Sequence, residues 1–131
     1  MSDNDKGRIR ALNDDLRQNL LGGGAVITPG IAAMGSAAVQ RLVQTLAVFD
    51  NFCNANDPHG EHDFGAFEFE GVRVFFKIDY FDKTLTYLSP NPADPTVTER
   101  VMTLMLADEY WPGTASPPVA LQAALKELQQ S

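Results

Sequence analysis

The fold is decided by residues 64–78, which read FGAFEFEGVRVFFKI. Apolar residues alternate along two runs that meet at Glu70-Gly71, and glycine readily adopts the positive φ that a two-residue hairpin turn requires. A turn at this position makes apolar residues face apolar ones and places a glutamate opposite an arginine. The pattern therefore predicts an antiparallel hairpin whose buried face is formed by Phe67, Phe69, Val72, Val74 and Phe76.

Helical periodicity is found on both sides of the hairpin. Apolar residues three or four apart predict helices over residues 5–20, 36–49 and 95–110, the last beginning at the N-cap Asp94 and Pro95. Short apolar runs predict further strands over residues 25–28 and 83–88.

These elements predict one α+β domain over residues 1–110, with a small antiparallel sheet built on the Glu70-Gly71 hairpin and packed by three to four helices. A Pro- and Gly-containing linker is expected over 111–118. An amphipathic helix is expected over 119–131, packed on the domain or extending it.

Composition excludes several classes of protein. The 131 residues contain one cysteine, Cys53, so no internal disulfide can form and a cytoplasmic location is expected. No apolar run approaches the roughly 18–20 residues that span a bilayer, and the polar N-terminus lacks a signal peptide, so no membrane partner is expected. The formal charge of −7 disfavours direct binding of nucleic acid.

Negative charge is concentrated in what we call the acidic block, residues 50–70. No Lys or Arg occurs from Leu42 to Gly71, whereas six carboxylates do. The block also contains both histidines of the chain, within the segment NDPHGEHDFG at residues 56–65. Three chemical roles fit this composition: a metal site, an acid–base pair and a docking surface.

The metal hypothesis uses His59 and His62 with the carboxylate of Asp57. Two imidazoles and a carboxylate suit zinc, manganese or iron. The alternative is an ordinary turn at Asp57-Pro58-His59-Gly60 whose side chains bond to the backbone. The turn is the commoner meaning of such a segment, so the absence of any cofactor is the favoured expectation and a divalent metal at His59 and His62 the alternative.

The acid–base hypothesis extends the hairpin register beyond Phe64, which places His62 opposite Asp79. A carboxylate facing an imidazole fixes its tautomer and raises its basicity. Lys77, two residues from Asp79 on the same strand face, could stabilise a developing anion. The sequence offers no evident nucleophile, and most cross-strand His–Asp pairs are structural.

The docking hypothesis treats the acidic block as a surface that attracts a protein with a basic face. Its contact residues would be Asp57, Glu61, Asp63 and Glu70. The alternative is a solvated surface that only keeps the protein in solution.

Three motifs resemble a bacterial family catalogued only as a domain of unknown function, whose members are often encoded on plasmids and other mobile elements. The motifs are NDPHGEHDFG at 56–65, FKIDYFD at 76–82, and the segment from Asp94-Pro95 to VMTLMLADEY at 101–110. The resemblance implies a bacterial host but no catalytic role. Together with the charge it favours a non-enzymatic, protein-binding and inhibitory factor. The alternative is a small metal-dependent enzyme centred on His59, His62 and Asp79.

Overall fold

The computed structural model describes residues 3–52, 57 and 60–110. Four strands form one sheet in the order β1-β4-β3-β2, in which β1 runs parallel to β4 and the other two pairs are antiparallel. The fold is therefore α+β, as predicted, but the sheet is mixed. The elements are α1 (Asp3–Asn19), β1 (Gly23–Ile27), α2 (Pro29–Ala32), α3 (Ser36–Ala47), β2 (Phe64–Phe69), β3 (Val72–Phe81), β4 (Glu99–Leu106) and a 3-10 turn (Ala107–Glu109).

The hairpin between β2 and β3 has the predicted register. Phe69 pairs with Val72 and Glu68 with Arg73, and the turn residues Glu70 and Gly71 have φ values of 47° and 85°. Burial differs from the prediction at one end of the hairpin. Val72 is 36% exposed, because it is the first residue after the turn.

One face of the sheet packs against the helices. Val74, Phe76 and Ile78 of β3 are buried there with Leu16 of α1 and with Leu42 and Leu46 of α3. A glycine in β2 makes room for this packing: a Cβ at Gly65 would lie 2.3 Å from a ring carbon of Phe76. The alternate residues of β3, among them Phe75, Lys77 and Asp79, point to the opposite face.

The predicted helix over residues 95–110 is wrong, because the middle of that segment, Glu99–Leu106, is the central strand β4. Five consecutive residues of β4, from Val101 to Met105, are buried. A strand covered on both faces has no polar alternation, so its apolar run also matches a helical stripe. The predicted linker and helix at 111–131 lie outside the residues that the structure describes.

The predicted strand over residues 83–88 is a turn organised by Asp82. Its Oδ1 accepts hydrogen bonds from the backbone N–H groups of Thr84 and Thr86, at 3.1 Å each. The segment's one bridge to the sheet is between Leu88 and Phe81.

The fold makes a stability prediction for the hairpin. Phe76 is fully buried, so Phe76→Ala should lower the free energy of unfolding by about 3–5 kcal/mol. The control Val72→Ala, on the same strand but partly exposed, should cost less than about 1 kcal/mol. Denaturant unfolding monitored by circular dichroism measures both. Equal costs would contradict the assignment of the buried face.

Candidate functional site: an acidic corner around His62

The segment that carries His62 is a turn fixed by a buried carboxylate. Asp57 is 5% exposed, and its Oδ1 accepts hydrogen bonds from the backbone N–H groups of Glu61 and His62, at 3.0 Å and 3.1 Å. The chain then takes φ 57° at His62 and enters β2 at Phe64. Asp57 therefore stabilises the backbone that presents the histidine.

The imidazole of His62 is held by a residue of α1. Its Nδ1 lies 2.9 Å from Oδ1 of Asp14, and the same oxygen accepts a hydrogen bond of 2.7 Å from Nη1 of Arg17. A carboxylate can only accept, so Nδ1 is the donor. The other ring nitrogen, Nε2, lies 3.8 Å from Oδ2 of Asp57.

An aromatic ring fixes the plane of the imidazole. Phe52 stacks on His62 with a centroid separation of 3.8 Å and an interplanar angle of 5°. The guanidinium of Arg17 lies 5.0 Å from the centroid of the same phenyl ring, a favourable cation–π distance. His62 is thus oriented by both a hydrogen bond and ring stacking.

Buried Asn13 joins this turn to the sheet. Its Nδ2 donates to the backbone oxygen of Glu61 at 3.0 Å and to the hydroxyl of Tyr80 at 2.8 Å. Its Oδ1 accepts from Nε of Arg100 at 2.9 Å. Arg100 is also buried and donates to the backbone oxygen of Pro92.

Tyr80 remains protonated in this network. Burial, and then the negative charge of Asp63, raise the pKa of its hydroxyl well above the ordinary range. The charge of Glu61 raises this pKa further, and the amide of Asn13 joins the backbone oxygen of Glu61 to the Tyr80 hydroxyl. We call the assembly the acidic corner, comprising Asp14, Asp57, Glu61, His62 and Asp63.

The part of the corner that α1 supplies was not predicted from the sequence. Asn13 and Arg17 are 0% and 3% exposed, although neither is apolar. They lie four and eight residues after buried Ile9, which places all three on one face of the helix. Polar residues on the buried face of a helix need internal partners, and that spacing was the available signal.

His62 and Asp79 do not form the predicted pair. The strand ladder begins at Phe64 opposite Lys77, so it does not extend to His62. His62 stacks on Phe52, which contacts Phe76 on the helix-bearing face, whereas Asp79 points to the other face. The sheet therefore separates the imidazole from both Lys77 and Asp79, because the positive φ at His62 turns it toward α1.

Lys77 and Asp79 do meet each other, with Nζ and Oδ2 3.3 Å apart. Burial raises the pKa of the Asp79 carboxyl, and the charge of Lys77 opposes that shift. Thr103 of β4 lies directly opposite Lys77. Within the described part of the chain, the buried hydroxyl of Thr103 has no hydrogen-bond partner.

One ligand of the predicted metal site, His59, lies outside the residues that the structure describes. Of its other members, Asp57 and His62 are brought together, but the Asp57 oxygens are engaged by backbone N–H groups. In residues 3–52, 57 and 60–110, no group of three or more His, Cys, Asp or Glu side chains could hold a metal ion.

The four predicted docking residues do not form one surface. Glu70 lies at the other end of β2, about 20 Å from Asp63 along the strand, where it accepts two hydrogen bonds from Arg41 of α3 at 2.6 Å and 3.1 Å. Asp57 is buried. Glu61 and Asp63 are partly exposed at the acidic corner.

Comparison with known proteins gives a family but no activity. A family model described as "Protein of unknown function (DUF3768)" matches residues 27–109. The chain belongs to this family. The match covers β2, β3, β4, α2, α3 and the turn of the acidic corner, whereas Asp14, Arg17 and all of β1 except Ile27 precede it. No curated protein and no solved structure matches the chain. None of the helices described is long and apolar enough to cross a membrane.

Two carboxyl groups of this DUF3768 member should make the stability of the fold depend on pH in opposite directions. The pKa of Asp79 is raised by burial, so its contribution to stability is present at low pH and is lost as pH rises through the folded-state pKa. The pKa of partly exposed Asp82 is lowered by its hydrogen bond with Thr84, so its contribution to stability is present at neutral pH and is lost on acidification.

Thermal melts of Asp79→Asn and Asp82→Asn between about pH 7 and about pH 3 measure these contributions. Asp79→Asn should raise the melting temperature at neutral pH, and Asp82→Asn should lower it. Both differences should shrink toward low pH. A destabilising Asp79→Asn at neutral pH would mean that the ion pair with Lys77 outweighs the cost of burial.

Proposed function

We propose that this protein is a non-enzymatic binding factor that docks a basic protein surface at its acidic corner. The observation that carries the proposal is the arrangement of charge around His62. Asp14, Glu61 and Asp63 are gathered on a partly exposed surface, whereas Arg17, the arginine that contacts Asp14, is 3% exposed. The corner therefore presents negative charge outward while its arginine lies inside.

The docking set differs from the one that composition suggested. Asp57 is buried and Glu70 lies at the far end of β2, so Asp14, Glu61 and Asp63, which are partly exposed around His62, are the carboxylates that we assign to the surface. Carboxylates clustered on one face steer a basic partner and accelerate association at low salt.

The described residues of the corner are also held by several contacts, which favours binding. Its backbone is fixed by Asp57 and Asn13, and the imidazole of His62 is fixed by Asp14 and Phe52. A surface held in one conformation loses little entropy on binding. The partly buried ring of Phe52 adds an aromatic group of the kind that anchors protein interfaces.

The resemblance of three motifs to bacterial proteins encoded on mobile elements supports an inhibitory role. The partner would be a host defence or replication protein whose basic surface normally meets nucleic acid. The charge of −7 suits occupation of such a surface. A cytoplasmic location is part of this proposal.

Two double variants with the same change in charge test the proposal. Glu61→Gln with Asp63→Asn neutralises the corner, and Glu68→Gln with Glu70→Gln neutralises the hairpin end. Immobilised wild-type protein and the hairpin-end variant should capture the same basic protein from a native host lysate, and the corner variant should lose it.

Stopped-flow association with the purified partner then tests the mechanism. The corner variant should associate roughly tenfold more slowly at low salt and show a weaker salt dependence. Equal capture by both variants, or association that is independent of salt, would contradict the proposal.

A further inference from the structure

A long uncharged segment lies at the edge of the sheet farthest from the acidic corner. Residues 18–40 contain no Asp, Glu, Lys or Arg, although the chain has 27 such residues and a net charge of −7 (10 basic, 17 acidic). This uncharged segment includes the end of α1, all of β1 and α2, and the beginning of α3. It carries three of the large hydrophobic side chains exposed in the described residues: Leu20 at 48%, Leu21 at 60% and Ile27 at 37%.

The orientation of β1 shows which backbone groups face outward. Among the strands of residues 3–52, 57 and 60–110, its one neighbour is β4, so its other side is an edge of this sheet. The N–H of Thr28 donates to the backbone oxygen of Leu104 in β4 at 3.1 Å. Backbone groups alternate sides along a strand, so those of Val26 also face β4. The N–H and C=O groups of Gly23, Ala25 and Ile27 therefore point away from the sheet.

In the part of the chain that the structure describes, β1 itself lacks three features that usually prevent strand pairing. Natural sheets protect an edge with charged side chains, proline or a bulge. Strand β1 reads GGAVI and pairs with β4 without a bulge. The other edge strand, β2, differs, since it carries Glu68 paired with Arg73.

We propose that β1 is a dimerisation edge, at which a second copy of this chain pairs antiparallel to it about a two-fold axis at Ala25. The outward-facing residues then pair with one another across the axis. Ala25 lies opposite Ala25 of the second copy, and Gly23 lies opposite Ile27 of the second copy. Antiparallel pairing of these residues forms about six backbone hydrogen bonds. The two four-stranded sheets become one continuous sheet.

Exposed apolar groups on both sides of β1 extend this contact. In the same register Leu21 is placed near the start of the second copy's α2, where Pro29 and Ala32 are exposed. Leu20 and Leu21 thus gain an apolar surface to cover them. Interfaces of this kind are depleted in charge at their centres, as the uncharged segment is.

Charge favours a second copy at this edge. Two molecules that each carry −7 repel one another over most of their surfaces, whereas the uncharged segment adds no repulsion of its own. One carboxylate at this edge, Glu109, is bonded to Thr28 and Gly30 at one end of β1. Two-fold symmetry places the two Glu109 groups at opposite ends, about 20 Å apart, beyond the Debye length at physiological salt.

The inference is independent of the proposed function. Strand β1 and the acidic corner belong to opposite ends of the strand order, so a dimer leaves both corners exposed. If the wild type is a dimer but captures no basic protein, the proposed function is wrong and the dimer proposal stands. If the wild type is a monomer that still binds a basic partner, the dimer proposal is wrong and the proposed function stands.

Sedimentation velocity over a concentration series tests the dimer, with full-length Leu21→Lys and Ile27→Lys as variants. The control Val48→Lys introduces the same charge at a side chain that is 78% exposed but outside the uncharged segment. Wild type and control should sediment with twice the monomer mass of 14.3 kDa. The two edge variants should dimerise at least about tenfold more weakly. Leu21 lies outside β1, so Leu21→Lys leaves the strand sequence intact, and circular dichroism checks the fold of each variant.

Hydrogen exchange gives a second readout at the edge itself. The outward N–H groups of Ala25 and Ile27 should be protected in wild type and should exchange faster in Leu21→Lys, whereas the inward N–H of Val26 stays protected. A monomeric wild type would overturn the proposal. So would edge variants that dimerise as tightly as wild type, or an Ala25 amide that exchanges as fast as exposed loop amides.

Discussion

The arrangement of this protein depends on the buried side-chain amide of Asn13. Its Nδ2 and Oδ1 bond to three separate parts of the chain: the turn before β2 through Glu61, β3 through Tyr80, and β4 through Arg100. Helix α1 is therefore held to the sheet by polar contacts as well as by the apolar packing of Leu16. Because Asn13 is fully buried, loss of any of these bonds would leave a polar group without water to replace the partner.

The acidic corner follows from this arrangement. With α1 fixed by Asn13, the adjacent Asp14 meets the imidazole of His62, and Arg17, one turn further on, neutralises part of its charge from inside. The outward carboxylates are thus supported by buried groups on a rigid helix. At the other edge of the sheet, β1 has neither charge nor a polar network. One molecule therefore presents two chemically different surfaces, and we propose that the acidic corner binds a basic protein and the uncharged segment a second copy.

Local pattern predicted the hairpin well, because both strands have one buried face and a turn with positive φ fixes their register. The same reasoning failed for β4. That strand is covered on both faces, so apolar and polar residues do not alternate along its sequence. The parallel pairing of β1 with β4 joins residues about 77 positions apart, which no local pattern specifies (Gly23 with Arg100, for example). Composition located the acidic turn, but the partner of His62 is Asp14, 48 residues away. Extending the hairpin register placed Asp79 opposite His62 instead, because the sequence did not indicate that positive φ at His62 turns the chain out of the strand.

The most direct measurement is the stability of Asn13→Ala, with Asn19→Ala on the same helix as control. Asn19 is exposed and bonds weakly to Asp15 at 3.5 Å. Removing the amide of Asn13 leaves Arg100, Tyr80 and the Glu61 carbonyl with unmet hydrogen bonds, so the free energy of unfolding should fall by about 2–4 kcal/mol. The control should change it by less than about 0.5 kcal/mol. If Asn13→Ala costs no more than the control, the polar contacts of Asn13 do not hold α1 and the acidic corner in place.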